Sequence, residues 1–253
     1  MSDLQAPIAP IPTDAPAALG ELARLSNTFS APSKTFGEIA LGRKSWWLPF
    51  LLMIIFSYAF FGVVSARIGW HTVAENTMHM NPKAEARLAQ ATPEASEQAI
   101  KFTETITKSI FLATPLVLLF TAVLVTLLFW GTINFGFGGK ADFVSVLTVS
   151  FYAWLPSLIK SALGIVVTFF TAPESFNLAN AAPTNLGAFL NPLETNAALY
   201  KLATAIDVTT IWTLVLFSIG LAVVAKTKRS TGYITVFGWW GLATAIGVGL
   251  AAL

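Results

Sequence analysis

Lys160 is a cation set deep inside a long apolar stretch. A central lysine costs about 2.5–3.5 kcal/mol on membrane-insertion scales, so such a residue marks either a pathway or an ion pair. The partner within reach is Asp207, near the start of a later apolar run. Counted from the ends of their helices, the two lie about 15 Å and about 6 Å deep, a gap that the flexible lysine stem narrows by snorkelling. In a local pair at the kink after Pro156, Lys160→Met should be tolerated and Asp207→Asn should then have little effect. If Lys160 instead lines a solute path, Lys160→Met should abolish flux. The local pair is favoured, because Lys160 and Asp207 are the only charged residues that the apolar runs offer.

Other constellations promise less. His71, Glu75 and His79 recur every fourth residue, which lines them up on one helical face and lets neighbours chelate a divalent cation. Three ligands in a line place the outer pair about 12 Å apart along the axis, a poor cage, and no metal site is expected. Gly131, Gly136, Gly138 and Gly139 before Lys140 resemble a phosphate loop only superficially. Asn134 stands at the first glycine position and Ala141 where a magnesium-holding hydroxyl belongs. The glycines predict a tight turn. HExxH, GxSxG and close carboxylate pairs within the apolar runs are all missing, so neither catalysis nor a cofactor is expected.

The elements that position these residues are membrane helices. A hydrocarbon core about 30 Å thick needs roughly 20 apolar residues, and five runs approach that length, at about 46–66, 110–130, 143–170, 203–225 and 233–253. With 55% hydrophobic and only 11% charged residues, the chain is expected to be an all-α, polytopic integral membrane protein with five transmembrane helices. The third run is longer than a crossing requires and contains Pro156, so it must tilt, kink or break. A net charge of +2 offers no nucleic-acid footprint. The absence of cysteine removes disulfides and thiolate chemistry.

Lys34, Arg43 and Lys44, then Lys140, then Lys226, Lys228 and Arg229 crowd three connections on one side. Under the positive-inside rule they put the N-terminus in the cytoplasm and the C-terminus outside. Arg67, Lys83, Arg87, Lys101 and Lys108 dissent from the opposite side, in a loop whose length weakens the rule. Residues 1–20, rich in Ala and Pro, read as a disordered tail, and 21–45 as a cytoplasmic amphipathic segment before the membrane domain of 46–253. Within that segment Phe29, Phe36 and Ile39 are expected to face the inner leaflet, with Pro32 in the first helical turn. The prolines of 172–198 argue against long helices in the second outer loop. Small residues of the last span, including Gly241, Ala245 and Gly249, suit close helix packing or self-association.

Several short patterns occur in one order. They are Phe29-Ser-Ala-Pro-Ser-Lys-Thr-Phe36 with Pro32, Trp46-Trp47-Leu48-Pro49 entering the first span, and Gly138-Gly139-Lys140-Ala-Asp-Phe143. Tyr152-Ala-Trp-Leu-Pro156 follows within the third span, and the basic turn Lys226 to Arg229 precedes the last. Together they resemble the Yip family of five-span proteins, named for Ypt/Rab interaction, in its prokaryotic branch. The family-motif positions are Pro32, Phe36, Pro49, Gly139, Tyr152 and Pro156. The resemblance implies a non-enzymatic membrane scaffold or adaptor; the alternative, a small-solute or ion permease, rests on Lys160 and Asp207. The partners implied are the lipid bilayer and either another membrane protein or a second copy of the chain.

Overall fold

The computed structural model describes residues 19–252. The tail expected over 1–20 therefore lies, up to residue 18, outside the described residues. Two short helices come first, α1 (Glu21–Ser30) and α2 (Pro32–Ala40), the second opened by Pro32 at its first position. Proline suits that place because the N–H it lacks has no intrahelical acceptor there. α3 (Trp47–Arg67) carries no charge before its final Arg67, and Pro49 lies buried in its first turn.

On the far side of α3 lie α4 (Trp70–His79), α5 (Pro82–Leu88) and α6 (Pro93–Leu112). Side chains cap the latter two. Asn81 accepts from Lys83 N and Ala84 N, and Thr92 accepts from Ala95 N, satisfying amides that would otherwise lack partners.

α6 runs into α7 (Thr114–Gly131) with only Ala113 between them, and a π-helical turn, Thr132–Gly136, extends α7. The expected start of the second span at Ile110 thus falls inside α6. Pro115, without an N–H, restarts the helix at Thr114.

The third span is broken into α8 (Phe143–Ala153) and α9 (Pro156–Phe170). Across the break, Leu155 N bonds Tyr152 O at 3.2 Å and Ser157 N bonds Trp154 O at 2.9 Å, three-residue bonds that tighten the backbone where Pro156 has no donor. The fourth run departs most from expectation. Its predicted 203–225 splits into α10 (Ala197–Ala205) and α11 (Val208–Val224), because Asp207 adopts an extended backbone and caps α11. The last span, α12 (Arg229–Ala252), starts earlier than 233.

Four of these units, α3, α7 with its π-turn, α8–α9 and α12, are long and apolar enough to cross a membrane. α11 is apolar but shorter, with 17 residues, about 25 Å. No strand occurs among the described residues. The protein is a polytopic, all-α membrane protein.

The core gathers where α2 enters the bundle. Phe36 and Ile39, both 0% exposed, pack with Val146, Val149, Tyr152 and Leu221 of α8 and α11. Expected on the inner leaflet, these two side chains are instead inside the protein. Gly220 makes the room, since a Cβ there would lie 3.0 Å from the Phe36 ring and 2.5 Å from Val149. Only Phe29 stays partly exposed, edge-on to Trp212 with centroids 5.4 Å apart.

α11 and α12 approach just as closely at Gly232, whose Cβ would meet Ser218 O at 2.2 Å. Gly241 and Gly249, by contrast, have open space around them, so the tight contact of α12 lies in its first turn and not along its later small residues.

Candidate functional site

Lys160 stands ten residues before the end of α9 at Phe170, about 15 Å along the axis. Its Nζ donates to Asp207 Oδ2 at 2.8 Å. The two ends are unlike, because the Asp207 side chain is 2% exposed and the Lys160 side chain 37%.

Asp207 is also held by its own helix start. Oδ1 accepts from Thr210 N at 2.9 Å and Thr209 Oγ1 at 2.5 Å, and Oδ2 accepts from Thr184 Oγ1 at 2.6 Å. Four donors on a buried carboxylate satisfy it, while the lysine supplies the compensating charge.

Thr184 belongs to the loop expected to lie wholly outside the membrane. That loop consists of single helical turns, Pro173–Ser175, Leu178–Asn180 and Leu186–Phe189. It folds back against α9, where Ala181 lies 4.0 Å from the position of a Gly164 Cβ. It then meets the start of α11, with Val208 N to Thr184 O at 3.0 Å and Leu186 N to Ile206 O at 3.2 Å. These bonds satisfy backbone groups of the non-helical loop that its fold against α9 and α11 would otherwise leave unpaired. Thr184 was not foreseen. The cap itself was legible, because Asp207 with Thr209 and Thr210 before an apolar run is an N-cap signature.

A second constellation occupies the end of the molecule rich in lysine and arginine. Lys140 N donates to Ala225 O at 3.0 Å, joining the glycine turn to the turn before α12. Arg229 Nη2 donates to Ser33 Oγ at 3.1 Å, joining that turn to α2. Lys44 Nζ reaches Asp142 Oδ1 at 2.8 Å, and Arg43 pairs with Glu38.

Gly139 permits the first of these joints. A Cβ there would sit 2.9 Å from Ile133 O, while Gly138 supplies a φ of +68°. Asn134 closes the same turn by donating to Ala141 O and accepting from Ala141 N. The glycine segment is thus a tight turn, as its spacing implied.

Arg24 and Glu21 were not singled out from sequence. Arg24, 4% exposed, lies over the Tyr152 ring at 5.7 Å and donates to Arg43 O at 2.9 Å. Tyr152 Oη donates to Glu21 Oε2 at 3.4 Å. Tyr152 is therefore the contact through which α1 meets α8, and Pro156 starts the helix just beyond it.

Asp142 caps α8, accepting from Ser145 N at 3.0 Å. Burial pushes its carboxyl up, but hydrogen bonds from Lys44 and Ser145 outweigh that and hold it at about 2. A carboxyl depressed in the fold contributes stability that is complete above its unfolded value near 3.8 and lost as pH falls through about 2. The thermal midpoint in detergent should therefore fall more steeply between these pH values than that of Asp142→Asn. Identical profiles would remove Asp142 as a cause.

On the opposite end His71, Glu75 and His79 lie together on α4, as their spacing implied. His71 Nδ1 lies 3.4 Å from Glu104 and His79 Nδ1 2.5 Å from Glu85, so each imidazole meets a carboxylate from a different helix. No cluster of three metal-ligating residues occurs among the described residues.

The fold and these two constellations define an integral membrane protein of several spans with a helical hairpin locked to its basic end. The Yip1 domain family model matches residues 26–251, nearly the whole chain, and the protein belongs to that family. No curated protein and no solved structure matches it.

Proposed function

We propose that this protein is a non-enzymatic membrane scaffold or adaptor of the Yip type, whose working surface is the basic end. The observation that carries this reading is the joining of three sequence-distant segments, 29–44, the Lys140 turn and the Lys226 to Arg229 turn, by Arg229–Ser33 and Lys140–Ala225. Lys34, Lys140, Lys226, Lys228 and Arg229 have no carboxylate partner among the described residues, which suits an acidic segment of a membrane-associated partner.

The positive-inside rule supports placing this surface in the cytoplasm, with the N-terminus inside and the C-terminus outside, and the absence of cysteine and of N-x-Ser/Thr sites suits a prokaryotic cytoplasmic membrane as the setting. Lys160 and Asp207 act as a structural pair, and no path through the bundle is needed.

Topology and partner are tested together. A reporter after Leu253 should read outside and one in the Lys226 to Arg229 turn inside; both on one side would overturn the orientation. Photocrosslinkers at Lys34 and Lys226 should capture a partner that is lost when Lys226 and Lys228 become Glu while the protein stays folded. Solute flux in liposomes, abolished by Lys160→Met without unfolding, would overturn the adaptor reading in favour of a permease.

A further inference from the structure

Cations gather where the Lys140 turn meets the turn before α12. The bond from Lys140 N to Ala225 O, 3.0 Å long, sets Lys140 beside Lys226, and Lys228 and Arg229 follow. No Asp or Glu occurs between Glu104 and Asp142 or after Asp207, and Asp142 is taken by Lys44. Lys226 has a φ of +55°, the only positive value outside glycine among the described residues. Glycine is the usual residue at such a helix end, so the turn carries a cation where its backbone favours none. Thr227 Oγ1, between Lys226 and Lys228, is buried without a hydrogen-bond partner.

Deeper along α12 an apolar groove of about 230 Å³ runs between that helix and the π-helical turn, lined by Phe137, Ile234, Gly238 and Leu242. Its two walls are tied together by Trp239 Nε1, which donates to Thr132 Oγ1 at 3.0 Å. The hydroxyls at the groove are already used, Thr132 donating to Leu128 O at 2.8 Å and Thr235 to Thr231 O at 2.9 Å. Gly238 leaves the space open, since a Cβ there would meet nothing within 4 Å. Along the axis from Arg229, Ile234 lies about 8 Å away and Leu242 about 20 Å.

α12 has 24 residues, about 36 Å. Across a hydrocarbon core about 30 Å thick, its first turn therefore stands at the level of the headgroups and the groove faces the acyl chains beneath. Charge at one end and an apolar groove below it follow the order of phosphate and chain in a phospholipid. The headgroup has to be anionic, because each juxtamembrane cation is drawn to negative lipid and a zwitterionic headgroup would bring a further cation into the cluster. An acidic protein segment would answer the charges and leave the groove unused.

We propose that this is a binding site for an anionic phospholipid whose headgroup carries no amine. Lys140, Lys226, Lys228 and Arg229 hold its phosphodiester, and one acyl chain lies in the groove over Gly238. The assignment rests on the adaptor reading for the basic surface and deepens it, naming lipid as the occupant of the side next to α12.

The test uses the full chain in phosphatidylcholine nanodiscs with a trace of phosphatidylglycerol carrying a diazirine midway along one acyl chain, labelled peptides being mapped by mass spectrometry. Saturable labelling of 132–137 and 234–242, displaced by unlabelled phosphatidylglycerol but not by inorganic phosphate or further phosphatidylcholine, is expected. Lys226→Gly removes a charge and relieves the left-handed backbone. The thermal midpoint should hold or rise while lipid affinity falls about fivefold, the worth of one cation at an anionic lipid surface. Gly238→Leu should fill the groove and lower labelling, yet leave photocrosslinking from Lys34 to a protein partner intact. Displacement by inorganic phosphate, equal displacement by phosphatidylcholine, or wild-type affinity in both variants would each overturn the assignment. Loss of partner capture with lipid labelling intact would instead remove the adaptor reading alone.

Discussion

Asp207→Ala should destabilise the protein by about 3–5 kcal/mol, the range for stripping one partner from a buried ion pair. The carboxylate is 2% exposed and takes hydrogen bonds from Lys160, Thr184, Thr209 and Thr210 N. Its loss uncaps α11, frees the preceding loop at Thr184 and leaves Lys160 without its counter-ion.

Lys160→Met alone should cost less, because three donors remain on Asp207, which keeps its cap on α11 and its bond to Thr184. Adding Asp207→Asn to Lys160→Met should change little, since the buried charge then disappears from both sides. Denaturation of Asp207→Asn, Lys160→Met and the two combined, in mixed detergent micelles, closes a double-mutant cycle and measures the coupling. Strict additivity of the two single effects would show that the pair does not act as one.

Phe36→Ala should cost about 3–5 kcal/mol, the usual range for emptying a buried phenylalanine site. The ring is enclosed by α8 and α11 and seated against Gly220, so the truncated side chain leaves a void that the close-packed groove cannot fill. The hairpin of α1 and α2 should then open, exposing residues 20–44 to protease and loosening the joint between Arg229 and Ser33. Leu22→Ala is the control, since Leu22 is 76% exposed and its loss should be nearly silent. If the two substitutions behaved alike, Phe36 would be contacting lipid and the docked hairpin would be wrong.

Much of this architecture could be read from the linear chain, because hydrocarbon thickness imposes a length on every crossing helix and apolar composition reveals it without reference to neighbours. The runs at 46–66 and 143–170, an irregularity at Pro156 that left tilt, kink and break open, and the turn at Gly138 and Gly139 rest on such local causes. Lys160 stood out for the same reason, as a charge in apolar surroundings, and the Yip motifs are short local patterns.

Tertiary structure decided what depends on partners distant in sequence. An amphipathic stripe such as Phe36 and Ile39 carries the same pattern whether it lies on lipid or in a protein groove. The room left by Gly220, some 180 residues away, chose the groove. The loop of 173–206 gave no sequence sign of docking onto α9 and α11, because its backbone is satisfied by bonds to Ile206 and Val208 that only folding supplies.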